Sequence, residues 1–198
     1  MHPRARRSLA LLACVVAGGG CGDEGGSSTT AERADRPVDP PRGWRTVRNP
    51  YAGFTVAVPR RWSARTRRTA TLIRSRDRLV AATFAADRGS EGRSTPPARY
   101  AEETLRGLPD FEGTLSARTR RVRGSPYRSA RVDGVGTVGR TRRPQRITVA
   151  AFQRRGIVTY AAVIFRNGTV TSPADEAAVN RVLTSLRGQP PQRSGRSG

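Results

Sequence analysis

Apolar positions between Trp44 and Gly188 follow two distinct periods. Phe54, Val56 and Val58 alternate with Thr55 and Ala57 between Asn49-Pro50 and Pro59, which predicts a strand with one buried face. Weaker alternation predicts strands over 70–74 and 79–85, and longer apolar runs predict strands over 127–132, 146–153 and 157–165. Arg154-Arg155-Gly156 separates the last two runs and predicts a hairpin. In the final run Ile157, Thr159, Ala161, Val163 and Phe165 make one face, while Val158, Tyr160, Ala162 and Ile164 make the other. Both faces are largely apolar, so this strand is expected at the centre of an antiparallel sheet with elements packed on each side.

Two helical patterns can supply that cover. Thr95 precedes Pro96 and Pro97, and Ala101, Thr104, Leu105 and Leu108 recur at helical spacing until Gly107 and Pro109 stop the run. The second helix is expected to be capped by Ser172, with Pro173 at its first position and Asp175 and Glu176 in its first turn, where the dipole favours acids. Its core stripe is Val179, Val182, Leu183 and Leu186. The predicted class is α+β: an antiparallel sheet flanked by helices in a three-layer α/β/α sandwich. A two-layer arrangement with both helices on one side stays open.

The ends of the chain read differently. Arg4, Arg6 and Arg7 precede an apolar run, Leu9 to Ala17, and small residues lead to Cys21. That run is too short for a permanent membrane span and has the form of a cleaved signal peptide over 1–20. Residues 21–43 are rich in Gly, Ser, Thr, Asp and Pro, the composition of a solvated linker. Cys21 is the expected lipidation site. Cys14 after Leu11-Leu12-Ala13 is the alternative, but it shortens the apolar run and leaves Val15 and Val16 in the linker; Cys21 has Gly18 where Leu or Val is usual. Arg6-Arg7-Ser8-Leu9 also fits a twin-arginine signal, so the export route stays open. A single domain is expected over 44–188, and 189–198 has the composition of a disordered tail.

Asn49-Pro50-Tyr51, Gly53-Phe54-Thr55-Val56, Val58-Pro59 and Trp62 resemble the opening of the LpqN and PsbP-like lipoprotein families, and Val182 to Leu186 resembles their closing helix. The resemblance implies an antiparallel sheet between helices, in extracytoplasmic lipoproteins or accessory subunits that bind partners and share no common active site. It carries over no functional residue, and the arginine runs depart from it.

Composition narrows the chemistry. The formal net charge is +22, and all 37 basic residues are Arg. The absence of Lys matches the codon usage of a high-GC bacterium, but codon usage does not explain why only 15 acids oppose them. The sole His is His2, inside the predicted signal peptide, so an imidazole-dependent nucleophile or zinc site has no ligand in the mature chain. Lacking Lys, the chain has no Ser-Lys dyad and no P-loop lysine. Ten carboxylates remain between Trp44 and Gly188. Glu102 and Glu103 are adjacent on a helix and point apart, Asp175 and Glu176 suit a first turn, and no calcium-loop spacing occurs. Gly134, Gly136 and Gly139 predict a flexible hairpin tip, and Asn167-Gly168 a turn. No cofactor and no catalysis are expected.

Arginine clusters therefore define the candidate contact surface: Arg118, Arg120, Arg121 and Arg123, and Arg140, Arg142 and Arg143. On a strand, Arg118 and Arg120 would share one face and Arg121 and Arg123 the other. The function expected is a lipid-anchored binding or accessory module of the cell envelope, with the membrane and an unidentified protein as partners. The alternative is a surface protein whose arginines hold anionic lipid or wall polymer. A carboxylate-dependent hydrolase is the third reading. Export argues against nucleic acid as a partner. Solvated charge with no partner is the competing account of the arginines.

Overall fold

The computed structural model describes residues 39–116, 118–139, 143–154, 156–167 and 172–189, together with Asp35. Ten strands and three helices are described. In chain order they are β1 (Trp44–Asn49), β2 (Phe54–Pro59), β3 (Ser63–Thr66), β4 (Ala70–Arg74), β5 (Val80–Asp87), α1 (Ser90–Ser94), α2 (Pro97–Arg106), β6 (Glu112–Leu115), β7 (Arg128–Thr137), β8 (Gln145–Arg154), β9 (Val158–Asn167), α3 (Pro173–Thr184) and β10 (Arg187–Gly188). They form a seven-stranded sheet in the order β3-β4-β5-β9-β8-β7-β6 and a three-stranded sheet in the order β1-β2-β10. Every pairing is antiparallel.

The large sheet is covered on both faces, as the doubly apolar β9 requires. Ile147, Val149, Ala151 and Val132 pack against Ala101 and Leu105 of α2. On the opposite face Phe84, Phe152, Tyr160 and Ile164 pack against β2 and against Val179, Val182 and Leu183 of α3. The fold is thus α+β in three layers, with α2 on one side and α3 plus the small sheet on the other. Burying a side chain such as Phe152, fully enclosed here, contributes about 2–3 kcal/mol. Phe54 fills the centre of this layer, its ring 6.0 Å from Tyr160 in an edge arrangement and 6.2 Å from Phe84. The Tyr160 hydroxyl donates to the Gly53 carbonyl at 2.9 Å. Tyr127 receives the Gly188 N–H at 2.6 Å and donates to Asp35 at 3.0 Å, while Arg154 also pairs with Asp35.

Helix ends follow the residues expected to make them. Pro97 opens α2, and Gly107 closes it. The Ser172 hydroxyl accepts the Asp175 N–H at 3.1 Å, capping α3.

Several local expectations are corrected. β2 is buried on both faces, because it is the middle strand of a second sheet that the sequence pattern did not reveal. Gly134 and Gly136 lie inside β7 rather than at a hairpin tip. A Cβ at Gly136 would stand 2.4 Å from the Glu112 carbonyl oxygen, so the glycine permits close pairing with β6. Only Gly139, at φ +60°, sits in a turn. β9 begins at Val158, and Ile157 is 56% exposed at the hairpin tip. Arg118 to Arg123 is not a strand: one isolated bridge, Arg120 to Arg131, joins it to β7.

Candidate anion-binding groove

β7 places Arg131 and Asp133 on one face of the sheet, two residues apart. Register sets Thr148 of β8 directly opposite Asp133. Arg166 near the end of β9 and Glu176 in the first turn of α3 complete a ring of charges. Arg131 donates from Nε to both Asp133 oxygens at 3.0 and 3.1 Å and from Nη2 to Glu176 Oε1 at 3.0 Å. Its Nη1 donates to Asn180 Oδ1 at 2.8 Å. Thr148 Oγ1 donates to Asp133 Oδ1 and receives Arg166 Nη2 at 2.9 Å. Arg166 Nη1 lies 3.4 Å from Glu176 Oε2, which closes the ring.

The ring is partly buried, and Arg166 is its innermost member. Arg166 is 2% exposed, and its Nε and Nη1, like Glu176 Oε2, have no hydrogen-bond partner among the described residues. Burial and the neighbouring Arg131 charge push the Arg166 pKa down, and Glu176 opposes that shift. Guanidinium stays charged in proteins all the same. Burial alone would raise the Asp133 carboxyl, but hydrogen bonds from Arg131 and Thr148 and the charges of Arg131 and Arg166 hold it below the usual carboxylate range. Burial works against the Arg131 charge, but Asp133 and Glu176 outweigh it and raise its pKa. Two guanidinium groups face two carboxylates, so the ring cancels its own charge.

Above the ring, the segment before β7 supplies positive charge that no carboxylate pairs with among the described residues. The Arg120 N–H donates to the Arg131 carbonyl at 2.9 Å, and the Arg131 N–H returns the bond at 2.6 Å. Val122, 6% exposed, turns into the core, and its carbonyl receives the Ser129 hydroxyl at 3.4 Å. With Val122 directed inward, its neighbours Arg121 and Arg123 are exposed. Gly124 at φ +79° then turns the chain toward β7. The result is a groove of about 810 Å³ between this segment and α3, edged by Arg120, Arg121 and Arg123 and floored by Arg131, Glu176 and Asn180.

The structure thus divides the arginines that the sequence singled out. Arg120, Arg121 and Arg123 meet at the groove, and Arg118 is exposed on the same segment without lining it. Arg143 is exposed at the connection from β7 to β8, beyond the end of β7 away from the groove; the strand from Arg131 to Thr137 alone spans about 20 Å. Arg140, Arg142 and Cys21 lie outside the described residues. Among the carboxylates weighed for catalysis, Glu103 is paired with Arg99 at 2.7 Å and Glu102 receives the Thr119 hydroxyl at 3.0 Å. Arg131, Asp133, Arg166 and Asn180 were not singled out from the sequence. Opposite charges at alternate positions, Arg131 and Asp133 on either side of Val132, were the signal that could have found the first two.

No family model and no curated protein matches the chain. Among solved structures, the Ran-binding protein Mog1p of Saccharomyces cerevisiae is 9% identical with a TM-score of 0.48, covering 73% of this chain and 95% of its own. LpqN of Mycobacterium tuberculosis, described as involved in cell envelope biogenesis, is 15% identical with a TM-score of 0.46, covering 74% of this chain and 91% of its own. A Pseudomonas aeruginosa protein of unknown function is 16% identical with a TM-score of 0.38, over 74% of this chain and 98% of its own. These are likenesses of outline, and the functional reading rests on the groove.

Proposed function

We propose that this chain is a non-catalytic binding module of the bacterial envelope, anchored outside the cytoplasm through a lipid on Cys21, and that it holds an anionic envelope polymer in the groove between α3 and the Arg120–Arg123 segment. The observation that carries the binding role is the charge of Arg120, Arg121 and Arg123, which have no ion-pair partner among the described residues, above a neutral ring. Guanidinium groups bind phosphate and carboxylate through paired N–H donors, and clustering raises the local potential. Asp133 and Glu176 do not suit the hydrolase reading. They share one guanidinium, Arg131, instead of facing each other across a cleft, and Asp133 is held ionised, which removes it from the general-acid role.

Polyphosphate binding by the full chain carrying Cys21→Ala tests the groove without any contribution from acyl chains. Affinity is expected to fall steeply with salt. Replacing Arg118, Arg120, Arg121 and Arg123 together with Ser is expected to weaken binding at least tenfold more than replacing Arg65, Arg74, Arg93 and Arg106. Equal losses in the two variants, or no binding near physiological ionic strength, would show that the arginines are only solvated charge. The anchor has its own test: labelled fatty acid should appear on Cys14→Ala but not on Cys21→Ala, and label on the latter would contradict it.

A further inference from the structure

A second basic groove lies on the other side of α3, and its chemistry differs. Trp44 opens β1 beside Pro59, its partner in register at the end of β2. Against them run Ala174, Ala177 and Ala178 of α3, whose small side chains leave an open trough of about 530 Å³ with an apolar floor. Four guanidinium groups stand around that floor: Arg42, Arg60, Arg61 and Arg181, all on exposed residues. The Arg181 guanidinium carbon lies 5.6 Å from the centre of the Trp44 ring. Among the described residues, no carboxylate lines the trough. Asp77 and Asp175 line an adjoining depression, which Arg61 also borders.

We infer that this Trp44 groove is the face through which the domain docks on anionic phospholipid, the four arginines engaging headgroup phosphates while Trp44 and the alanine floor rest in the interfacial layer. The inference rests on the proposed residence at the envelope. An anionic polymer needs only charge, which the first groove offers beside the polar groups of Arg131, Glu176 and Asn180. A bilayer surface presents phosphate with apolar material directly beneath it, and the second groove repeats that order: cations outside, an indole and methyl groups within. Trp favours the membrane interface because its ring is apolar and its N–H needs a polar partner. Arginine stems lie along apolar surface while their heads stay at the charged layer. A lipid on Cys21 would bring the domain near the surface without choosing its face, and the charge distribution makes that choice. With α3 between the two grooves, docking by one leaves the other at the side of the molecule, open to a polymer.

Trp fluorescence of the full chain carrying Cys21→Ala tests this with vesicles whose acyl chains are brominated. Trp44 and Trp62 are the only two Trp residues, and Trp62 is 4% exposed within the core, so quenching on binding reports Trp44. On phosphatidylglycerol-containing vesicles Trp44 emission should shift to the blue and be quenched; on phosphatidylcholine alone it should do neither. Each arginine near the surface strengthens partitioning about fivefold, so Arg60→Ser, Arg61→Ser and Arg181→Ser together should weaken it roughly a hundredfold. The Arg118, Arg120, Arg121 and Arg123 variant should keep the quenching. Co-sedimentation with anionic vesicles while Trp44 stays unquenched would overturn the inference, because another face would then hold the lipid. Equal quenching on both lipids, or no binding at all, would overturn it too. Intact polyphosphate binding alongside failed quenching would remove the lipid face and leave the polymer groove standing.

Discussion

Arg131 and Arg166 carry the same charge on the same sheet face, yet they should respond differently to removal. Arg131 uses Nε, Nη1 and Nη2 against Asp133, Asn180 and Glu176, whereas the Arg166 guanidinium makes one hydrogen bond among the described residues, from Nη2 to Thr148. Arg131→Met would leave Asp133 and Glu176 without their shared counter-charge, and about 3 kcal/mol of stability should be lost. Arg166→Met replaces a buried cation with two unsatisfied N–H positions by an apolar chain of similar length, and Glu176 keeps Arg131, so the loss should be about 1 kcal/mol or less. Chemical denaturation of the two variants measures the difference. Asp133 adds a pH signature. Its folded pKa lies below the ordinary 3.8, so its stabilisation is complete above about pH 5 and is lost as the pH falls below 3.8 through the folded value. Asp133→Asn should lower stability at neutral pH and flatten the acid limb of the stability profile; an unchanged acid limb would mean the carboxylate is not held as described. Asp133 was hidden in the sequence because the strand pattern stopped at Val132, and the glycines beyond it carried the signature of a turn.

Elements were legible where one face or one stripe decides the matter. α3 was readable from Ser172, Pro173 and its apolar stripe, and β8 and β9 from their length and hydrophobicity. β1, β3 and β6 were not, since edge strands such as Ser63–Thr66 expose most of their residues and show little alternation. β10 is two residues long and is defined by its pairing with β2, which no local pattern encodes. The central position of β9 makes a graded prediction. Ile164 is 1% exposed beneath α3 and the small sheet, while Val163 on the opposite face is only half buried beside α2. Ile164→Asp should abolish soluble folded protein, since an unpaired buried carboxylate costs several kcal/mol. Val163→Asp should fold with a lowered melting temperature. Two equally stable variants would contradict a sheet layered in this way.

At the scale of the whole molecule, the sequence showed how much positive charge there is but not where it converges. The span from Trp44 to Gly188 holds 29 Arg against ten acids, and proximity along the chain grouped Arg118 to Arg123 with some success. Only the fold brings Arg131, Glu176 and Asn180 beneath them, and only the fold adds Arg60, Arg61 and Arg181 to Arg42 around Trp44, because those three are distant from Trp44 in the chain. Arginine Nε–H resonances of the Cys21→Ala chain, followed by NMR during a polyphosphate titration near physiological ionic strength, test the central claim most directly. The signals of Arg120, Arg121, Arg123 and Arg131 should move first and saturate together, ahead of those of Arg65, Arg74 and Arg106. Small, uniform shifts across all the arginines would contradict a groove that binds an anion and would reduce the positive charge to a general surface property.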